Sequence, residues 1–439
     1  MFLRLYDLYA YNNPSNVAFK NENIVVSYGN LLNSVEMISR RLAEILCGKK
    51  GRFLFLENPS IELSIAYLSL VNAGALCFFL PPNSDNIEEL EKKYEIDVVV
   101  SEEIKENRIS LNQLLNLDFS FYYSNKNVDV YESCTAFFTS GTSGEPKCVL
   151  LSEKNLCSNV VAGCKELEYS SKDVHLCTLP FYHAYGITCT LLAPLYTGGT
   201  LCFGKSIATF FKDLKIFKPT FIQTVPMILK SMLAYQKNNF ITVKKILSGG
   251  ANTPKELIEE FRRLGVAVYS CYGMTECSPC ISCNDNRPDK DCSVGRVLCC
   301  NNIKIIDDEI LLNGTNIMIG YYGEERINGW FKTGDCGYLD DEGYLYLTGR
   351  KTGCFKLSNG EKVYLEEIEN VVNKFPNIIE SRASCTNDSI IIEIFALEQL
   401  ITDKIKSFIE SEFNHSIVIK KIIQVEKEFP KTSIMKIKR

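Results

Sequence analysis

Short apolar runs rich in Val, Ile and Phe alternate with helix-like segments along the first three quarters of the chain. The apolar runs predict buried strands at residues 52–56, 97–100, 136–139, 220–224 and 244–247. The segments between them predict helices at residues 28–46, 226–235 and 254–264. Because such alternation is typical of a parallel sheet covered on both faces, we predict an α/β fold.

The pattern changes after residue 294, where short strands and glycine-containing turns replace the alternation. Asp341-Glu342-Gly343, between two aromatic-rich runs, predicts a hairpin turn. From about residue 350 the pattern is α+β, with a helix starting near Leu365 and a strand at residues 390–395. A chain of 439 residues is too long for one compact core. We therefore predict an N-terminal domain of residues 1–349 and a C-terminal domain of residues 350–439.

One apolar stretch has the length of a membrane span. Residues 63–80 contain no charged side chain, and about 18 apolar residues are the minimum for crossing a bilayer. Asn72 and Gly74 interrupt the stretch, and Pro81-Pro82 ends it. We therefore predict a buried helix at residues 61–71 and a buried strand at residues 75–80, with no membrane span.

The overall composition is that of a globular protein, with 46% hydrophobic and 23% charged residues. A net charge of -5 and a pI near 5.6 argue against a nucleic-acid-binding protein, which normally has a basic excess. The chain has 19 cysteines, and its first ten residues lack the apolar core of a secretion signal. We therefore expect free thiols and a cytoplasmic location.

A loop rich in hydroxyls and glycines follows the predicted strand at residues 136–139. Glycines let backbone N–H groups approach phosphate oxygens, hydroxyls donate hydrogen bonds, and a lysine adds a mobile positive charge. The spacing differs from that of the Walker loop. The candidate phosphate-binding residues are Thr139, Ser140, Gly141, Thr142, Ser143, Gly144 and Lys147.

This loop and six further motifs resemble, in the same order, the AMP-forming acyl ligases. The further motifs are LPFYHAYG (179–186), LSGGANTP (247–254), YGMTE (272–276), GWFKTGD (329–335) and GRKTGCFKLSNGEKVYLEEIE (349–369), with FPKTSIMKIKR closing the chain. The resemblance implies a large N-terminal domain of parallel-rich sheets layered with helices, plus a distorted β-barrel part. It also implies a small, mobile C-terminal α+β domain.

By this resemblance, the reaction joins a carboxylate to the α-phosphorus of ATP and releases pyrophosphate. Thr275 is then expected to bind the α-phosphate. Glu276 is expected to hold Mg²⁺, which prefers hard carboxylate ligands. Both residues are therefore assigned catalytic roles, and Glu276 is also the predicted metal ligand.

The nucleotide itself is expected to lie against backbone that carries little side chain. A flat purine would rest on Gly249, Gly250 and Ala251, with the ring of Tyr272 on its other face and Gly273 beside it. Asp335 matches the family residue that accepts hydrogen bonds from the ribose hydroxyls. Arg350 stands where the family places a second ribose or phosphate contact.

Lys436 matches the catalytic lysine that the family supplies from its small domain. Its charge would bridge the attacking carboxylate and the α-phosphate. The chain departs from the family pattern here, because Ile434-Met435 replaces the usual Ser-Gly before the lysine. This departure motivates an alternative hypothesis, a nucleotide- or acyl-adenylate-binding protein without catalysis.

His183 is expected to line or gate the acyl site, and is assigned with the catalytic residues. Residues 181–186 contain no acidic side chain to pair with an ammonium group, which disfavours an amino-acid substrate. The LPFYHAYG stretch resembles the fatty- and aryl-acid-activating branches of the family, and this resemblance implies a fatty acid as substrate and the thiol of CoA as acceptor. The phosphopantetheine arm of an acyl carrier protein is the alternative acceptor.

Cys277, Cys280 and Cys283 follow the YGMTE motif at a spacing of three residues. Such a cluster could hold zinc or an iron–sulfur centre, which would make the chain a metal-binding regulatory module. A spacing of three does not bring three thiols together on a strand, whose side chains repeat every two residues. We therefore interpret these cysteines as small hydrophobic residues.

Overall fold

The computed structural model describes residues 7–102, 108–119, 132–140, 146–235, 242–356, 362–386, 389–413, 417 and 419–430. The chain forms two compact units. The first comprises Met1–Asn302 and Asn313–Phe331, and the second comprises Ile303–Leu312 and Lys332–Arg439. The predicted boundary after residue 349 lies inside the second unit and stays a prediction about the domains.

In chain order, the helices are α1 (Asp7–Asn12), α2 (Tyr28–Leu46), α3 (Ile61–Asn72), α4 (Ile87–Tyr94), α5 (Leu111–Asn116), α6 (Glu153–Glu166), α7 (Ala193–Thr197), α8 (Phe210–Phe217), α9 (Pro226–Tyr235), α10 (Lys255–Arg263), α11 (Leu365–Val372) and α12 (Thr402–Glu412). A π-helix covers Gly186–Leu192, and short 3₁₀ turns cover Ile207–Thr209, Thr275–Cys277, Pro288–Lys290 and Lys351–Gly353. The predicted helices at 28–46 and 226–235 are confirmed to the residue.

The strands, in the same order, are β1 (Val17–Lys20), β2 (Val25–Ser27), β3 (Arg52–Leu56), β4 (Leu76–Phe79), β5 (Val98–Ser101), β6 (Arg108–Ile109), β7 (Ser133–Ser140), β8 (Pro146–Ser152), β9 (Val174–Cys177), β10 (Thr200–Phe203), β11 (Phe221–Thr224), β12 (Lys245–Ser248), β13 (Ala267–Gly273), β14 (Cys280–Cys283), β15 (Arg296–Val297), β16 (Asn301–Ile306), β17 (Glu309–Gly314), β18 (Gly320–Tyr321), β19 (Phe331–Leu339), β20 (Leu345–Arg350), β21 (Cys354–Lys356), β22 (Lys362–Tyr364), β23 (Glu380–Thr386), β24 (Ser389–Phe395) and β25 (Ile419–Val425).

The first unit contains a nine-stranded sheet in the order β15-β14-β13-β12-β11-β9-β10-β1-β2. Its central strands β10, β9, β11, β12 and β13 pair in parallel. Residue Thr224 of β11 lies opposite Ser248 of β12, so these two strands end at the same level. Phe261, Ile222 and Ile246 belong to the apolar core between this sheet and its helices. The predicted parallel sheet is therefore confirmed.

A second sheet of the first unit has seven strands in the order β18-β8-β7-β4-β3-β5-β6. The apolar stretch at residues 63–80 forms most of α3 and β4 of this layer, as predicted, and most of its residues are buried. Within the described part of the chain, no helix is long and apolar enough to cross a membrane.

The second unit contains a four-stranded sheet in the order β16-β17-β19-β20. The predicted hairpin turn joins β19 to β20, and the carboxylate of Asp340 accepts hydrogen bonds from the backbone N–H groups of Glu342 and Tyr344. The resemblance predicted a distorted barrel, but the described strands form an open sheet with β16 and β20 at its edges. Four strands are too few to close around a packed interior, so this part of the prediction is corrected.

The remainder of the second unit is α+β, as the sequence predicts. Strands β23, β24 and β25 form a three-stranded sheet. Buried isoleucines of β24, among them Ile390, Ile392 and Ile394, pack with Ile405 and Ile409 of α12. The alternating exposure of β24 places these isoleucines on one face, which gives this small sheet its own core.

His175 of β9 lies fully buried in the core of the first unit. Its ring stacks on Tyr169, with the ring centroids 5.4 Å apart, and its Nδ1 lies 3.0 Å from the side-chain Nε2 of Gln223. Burial lowers the pKa of His175 to about 4. The amide of Gln223 therefore donates to a neutral imidazole, which agrees with the structural role expected for this histidine.

The buried neutral His175 makes stability depend on pH. Its folded pKa lies below the unfolded value of about 6.5, so the unfolded chain binds the extra proton and stability falls as pH drops through this window. Between pH 7 and pH 5 the wild type is expected to lose about 2 kcal/mol more unfolding free energy than His175→Gln. Urea unfolding at both pH values measures this difference.

Glu57 provides a control, because its protonation changes the unfolding free energy in the opposite direction as the pH falls. It is buried, and burial raises its pKa to about 7 with a smaller contribution from Glu102, so the folded chain holds its proton and gains stability on acidification. Glu57→Gln is therefore expected to lose more stability than the wild type between pH 7 and pH 5. Equal pH dependence of the unfolding free energy in the wild type and His175→Gln would contradict the assignment of His175 as a buried, neutral side chain.

Candidate functional site

The carboxyl ends of four parallel strands meet at one edge of the nine-stranded sheet. Strand β9 leads into residues 179–186, β11 into α9, β12 into the glycines at 249 and 250, and β13 into the turn Thr275–Cys277. Ligands of open α/β sheets bind at this edge, because the connecting segments converge beyond the strand ends. Three of the predicted motifs are therefore brought together in the first unit.

The segment after β12 is a close-packed backbone shelf. A Cβ atom added at Gly249 would lie 2.6 Å from the Sγ of Cys271, so no side chain fits there. Gly250 has a φ of +81°, a conformation that favours glycine. The hydroxyls of Ser248 and Thr253 lie 2.8 Å apart and close the loop across both glycines. Ala251 is exposed beyond them.

Tyr272 and Gly273 end strand β13 next to this shelf. The side chain of Tyr272 is 8% exposed, so most of its ring is covered by protein. A Cβ atom at Gly273 would lie 2.1 Å from the carbonyl oxygen of Pro279, which explains the glycine at this position. The stacking of Tyr272 on a purine stays a prediction.

The predicted phosphate loop joins the antiparallel strands β7 and β8. Thr139 lies opposite Lys147, and Ser140 lies opposite Pro146, so the two strands stay paired up to the last described residue on each side of the loop. Gly141, Thr142, Ser143 and Gly144 lie outside the described residues. The described part thus places Thr139 and Lys147 side by side at the base of the loop.

Three side chains connect the base of this loop to the turn after β13. The ammonium nitrogen of Lys147 lies 4.4 Å from the centre of the Tyr321 ring and 3.5 Å from a carboxylate oxygen of Glu324. The hydroxyl of Tyr321 donates to Oε1 of Glu276 at 2.9 Å. Burial, together with the Glu276 carboxylate, raises the pKa of Tyr321, which keeps this hydroxyl a donor.

Tyr321 was not identified in the sequence. It lies in strand β18, which pairs with β8, and is 45 residues from Glu276. The only local signal was a pair of tyrosines between two glycines, residues 320–323. Its partners depend on the pairing of β18 with β8, which a linear pattern does not reveal.

The backbone around Thr275 and Glu276 is held by hydrogen bonds from both sides. The N–H of Met318 donates to the carbonyl of Glu276 at 2.8 Å, and the N–H of Ser278 donates to that of Thr275 at 3.2 Å. Glu276 is 7% exposed, whereas Thr275 is only partly buried. The carboxylate that was predicted to bind Mg²⁺ is therefore fixed in position.

His183 is partly buried and packs edge-on against Tyr182, with the ring centroids 4.8 Å apart. Burial lowers its pKa to about 4, so the imidazole is neutral at physiological pH. A neutral ring forms a polar wall and cannot serve as a permanent cation for a carboxylate. The predicted role of His183 in lining the acyl site remains a prediction.

Asp335 and Arg350 lie in the second unit. They are directly opposite each other on β19 and β20, and Nε of Arg350 lies 2.6 Å from Oδ1 of Asp335. Asp335 is 7% exposed, and its backbone N–H donates to the hydroxyl of Thr333 at 3.1 Å. The structure therefore pairs the two predicted ribose contacts with each other. Lys436 lies outside the described residues.

The clustered cysteines are buried. Cys277 belongs to the turn after β13, whereas Cys280 and Cys283 lie on β14, which pairs antiparallel to β13. Burial raises the pKa values of the Cys280 and Cys283 thiols, and the thiol of Cys271 contacts that of Cys280. All 19 cysteines of the chain are free thiols.

Comparison with known proteins supports the sequence resemblance. A 2-succinylbenzoate–CoA ligase of Bacillus velezensis is 32% identical over 280 residues, which are 60% of this chain and 57% of that protein. A ligase of the same name from Listeria monocytogenes is 28% identical over 427 residues, covering 90% of this chain and 87% of that protein.

A solved structure has the same fold as this chain. The chain superposes on the O-succinylbenzoate coenzyme A synthetase of Bacillus subtilis in complex with AMP, with a TM-score of 0.85 and 23% identity over 99% of this chain and 96% of that one. The model of the family described as AMP-binding enzyme matches residues 7–322. The predicted family and enzyme class are therefore confirmed: the chain belongs to the AMP-binding enzyme family.

Proposed function

We propose that this protein is an AMP-forming acid–CoA ligase whose acid is 2-succinylbenzoate. The observation that carries the proposal is the contact chain Lys147–Tyr321–Glu276, which connects the phosphate-loop hairpin to the turn after β13. The cationic Lys147 and the anionic Glu276, which would bind the phosphates and Mg²⁺ respectively, are thereby held together in one unit. The names of the relatives support the substrate.

The reaction has two steps that share one site. A carboxylate oxygen attacks the α-phosphorus of ATP, and the bond to the β-phosphate oxygen breaks, so that acyl-AMP forms and pyrophosphate leaves. The thiol of CoA then attacks the acyl carbon, loses its proton, and AMP leaves as the thioester forms. The first step brings anions together, so the site must supply positive charge and fixed donors.

The described residues fit ATP. The shelf at Gly249 and Gly250 has no side chain between it and a flat base, and Ala251 adds only a methyl group. The side chain of Lys147 is 40% exposed, which leaves its ammonium accessible to phosphate oxygens. Thr139 contributes a hydroxyl beside it, and Thr275 contributes a second one at the end of β13.

The described residues also fit Mg²⁺. Mg²⁺ in nucleotide sites is held by one or two carboxylates together with substrate phosphates, and Glu276 is a buried carboxylate whose orientation is fixed by Tyr321. When bound, Mg²⁺ would neutralise charge on the phosphates during transfer of the adenylyl group. Glu276 would hold the ion, and Tyr321 would hold Glu276.

The proposed acid replaces the fatty acid expected from the sequence. Relatives from Bacillus and Listeria species have 2-succinylbenzoate–CoA ligase as their name. The same names favour CoA over an acyl carrier protein as the acceptor.

The free thiols of all 19 cysteines support a reducing compartment, and we propose a cytoplasmic location.

Pyrophosphate release in the presence of ATP, Mg²⁺ and single acids tests the proposal. We expect release with 2-succinylbenzoate and AMP-forming thioester synthesis after CoA is added, with much less from benzoate, amino acids or palmitate. Hydroxylamine would trap the acyl-AMP. Binding of ATP without release for any acid would overturn the proposal and favour the nucleotide-binding alternative.

Substitution of the predicted catalytic lysine should distinguish a ligase from a nucleotide-binding protein without catalysis. Lys436→Ala is expected to lower pyrophosphate release at least 100-fold, because the charge between carboxylate and α-phosphate is lost, an effect of about 3 kcal/mol. Lys427→Ala removes an exposed lysine of the same region and serves as the matched control. Equal rates for both variants would remove Lys436 from the mechanism.

Loss of the Tyr321 hydroxyl should weaken the Mg²⁺ site. Tyr321→Phe keeps the ring under Lys147 but removes the hydrogen bond to Glu276, and a hydrogen bond to a charged group contributes about 1.5–3 kcal/mol. We expect the Mg²⁺ concentration for half-maximal pyrophosphate release to rise about tenfold. A Mg²⁺ titration at saturating ATP measures this shift.

Tyr322→Phe is the matched control for this variant. The hydroxyl of Tyr322 lies 3.4 Å from a guanidinium nitrogen of Arg52, in the seven-stranded sheet, and does not contact Glu276. Its Mg²⁺ dependence should equal that of the wild type. An unchanged titration curve for Tyr321→Phe would mean that Glu276 keeps its orientation without the tyrosine.

A further inference from the structure

Two thiols with no role in the reaction described above meet next to the glycine shelf. Cys271 lies within β13, Cys280 begins β14, and the thiol of Cys280 donates a hydrogen bond to the sulfur of Cys271. A Cβ atom added at Gly249 would lie 2.6 Å from the Sγ of Cys271, which is its nearest neighbour. One sulfur of the pair therefore packs directly against the shelf backbone.

A β-bulge places the two thiols on the same face of the β13–β14 pair. Cys271 lies opposite Cys283, Gly273 lies opposite Cys280, and the register shifts immediately before Gly273. Residues 271 and 273 share one face of β13, so their partners also share a face, although their spacing is three. Ile281 is the extra residue of the bulge. The structure therefore brings together thiols that a regular strand with this spacing would keep apart.

The two thiols differ in exposure and in protonation. Cys280 is 6% exposed, whereas Cys271 is only partly buried. The hydrogen bond to Cys271, together with burial, raises the pKa of the Cys280 thiol well above its usual value, so Cys280 keeps its proton. Cys271 is thus the sulfur that a dissolved reagent reaches, and Cys280 is the partner held behind it.

The backbone of Cys280 is fixed on both sides by one amide. The N–H of Cys280 donates to Oδ1 of Asn159 at 3.2 Å, and the carbonyl of Cys280 accepts from Nδ2 of Asn159 at 2.6 Å. Asn159 lies in α6 and is 2% exposed. A covalent bond holds two sulfurs closer together than a hydrogen bond does, so its formation moves the side chain of Cys271. This movement changes the contact between the sulfur and Gly249.

We propose that Cys271 and Cys280 form a reversible disulfide that lowers the affinity of the shelf for nucleotide. The inference rests on the proposed function, because it takes the shelf at Gly249 as the nucleotide site. It adds a modification site to that function, with a dissolved disulfide of the glutathione class as the oxidant. In a reducing compartment such a bond is transient, as is typical of redox-sensing thiols.

The oxidation proceeds by two thiol–disulfide exchanges. The Cys271 thiolate attacks one sulfur of oxidised glutathione, whose S–S bond breaks, and one glutathione thiolate leaves. Cys271 then no longer accepts the hydrogen bond as a thiolate, so the largest cause of the raised pKa of Cys280 is removed. The Cys280 sulfur loses its proton, attacks that of Cys271 and displaces the second glutathione thiolate. Two protein S–H bonds are exchanged for one S–S bond, and the two protons go to the two glutathione thiolates.

Nucleotide binding and disulfide formation should oppose each other. We expect the Kd for ATP to rise about tenfold on oxidation, because the close packing next to the shelf is lost. By reciprocity, saturating ATP should make the disulfide easier to reduce by the same factor, which is a shift of about 30 mV for a two-electron couple. A disulfide without influence on the shelf would have the same reduction potential with and without ATP.

Calorimetric titration of ATP into reduced and oxidised protein measures the effect without turnover. The protein is oxidised with glutathione disulfide, and alkylation of an aliquot followed by tandem mass spectrometry locates the bond. Cys271→Ser should form no such bond and keep one Kd after either treatment, with Cys271→Ala as the second variant should the serine variant fail to fold. Cys280→Ser should stop at the first exchange and retain one glutathione on Cys271. Cys283→Ser is the matched control, because it removes the thiol opposite Cys271 and should keep the bond and the shift in Kd.

The outcomes separate this inference from the proposed function. A Cys271–Cys280 bond together with a rise in Kd that dithiothreitol reverses supports the inference, even if no acid leads to pyrophosphate release. Pyrophosphate release with 2-succinylbenzoate together with equal ATP affinity of the reduced and oxidised forms would overturn the inference and leave the proposed function standing. A bond from Cys271 to Cys283 in place of Cys280 would likewise overturn the inference.

Discussion

The candidate site depends on the parallel hydrogen-bonded register of strands β9, β11, β12 and β13. Because β11 and β12 end opposite each other, at Thr224 and Ser248, the chain leaves the sheet at one level. Strand β13 continues beyond them and turns back as β14. The glycine shelf and the turn with Glu276 take their positions from these strand ends, so a shift of one residue in register would separate them.

Two sheets in the first unit cooperate in the same site. The nine-stranded sheet supplies the shelf and the acidic turn, while the seven-stranded sheet supplies the phosphate-loop hairpin and Tyr321. The contact of Tyr321 with Glu276 crosses from one sheet to the other. Burial keeps the imidazole of His183 neutral and the hydroxyl of Tyr185 protonated at physiological pH.

Local patterns were sufficient to predict most of the fold. Helices α2 and α9 and strand β3 match to the residue, because periodicity and flanking turn residues are encoded in short windows. The family motifs identified the shelf and Glu276 for the same reason. Tyr321 was missed because its hydrogen-bond partner, Glu276, lies 45 residues away along the chain. The open sheet of the second unit differs from expectation because it depends on long-range strand pairing.

The packing at the shelf also constrains how this enzyme can diverge. Gly249 has no free space, since an added methyl group would meet the thiol of Cys271 and the ring of Tyr185. A mutation at any one of these positions is therefore epistatic with the other two. A side chain at position 249 can be accommodated only after the nearest of these neighbours, the thiol of Cys271 at 2.6 Å, has been replaced by a smaller group. The order of substitutions, and not only their identity, is set by this contact.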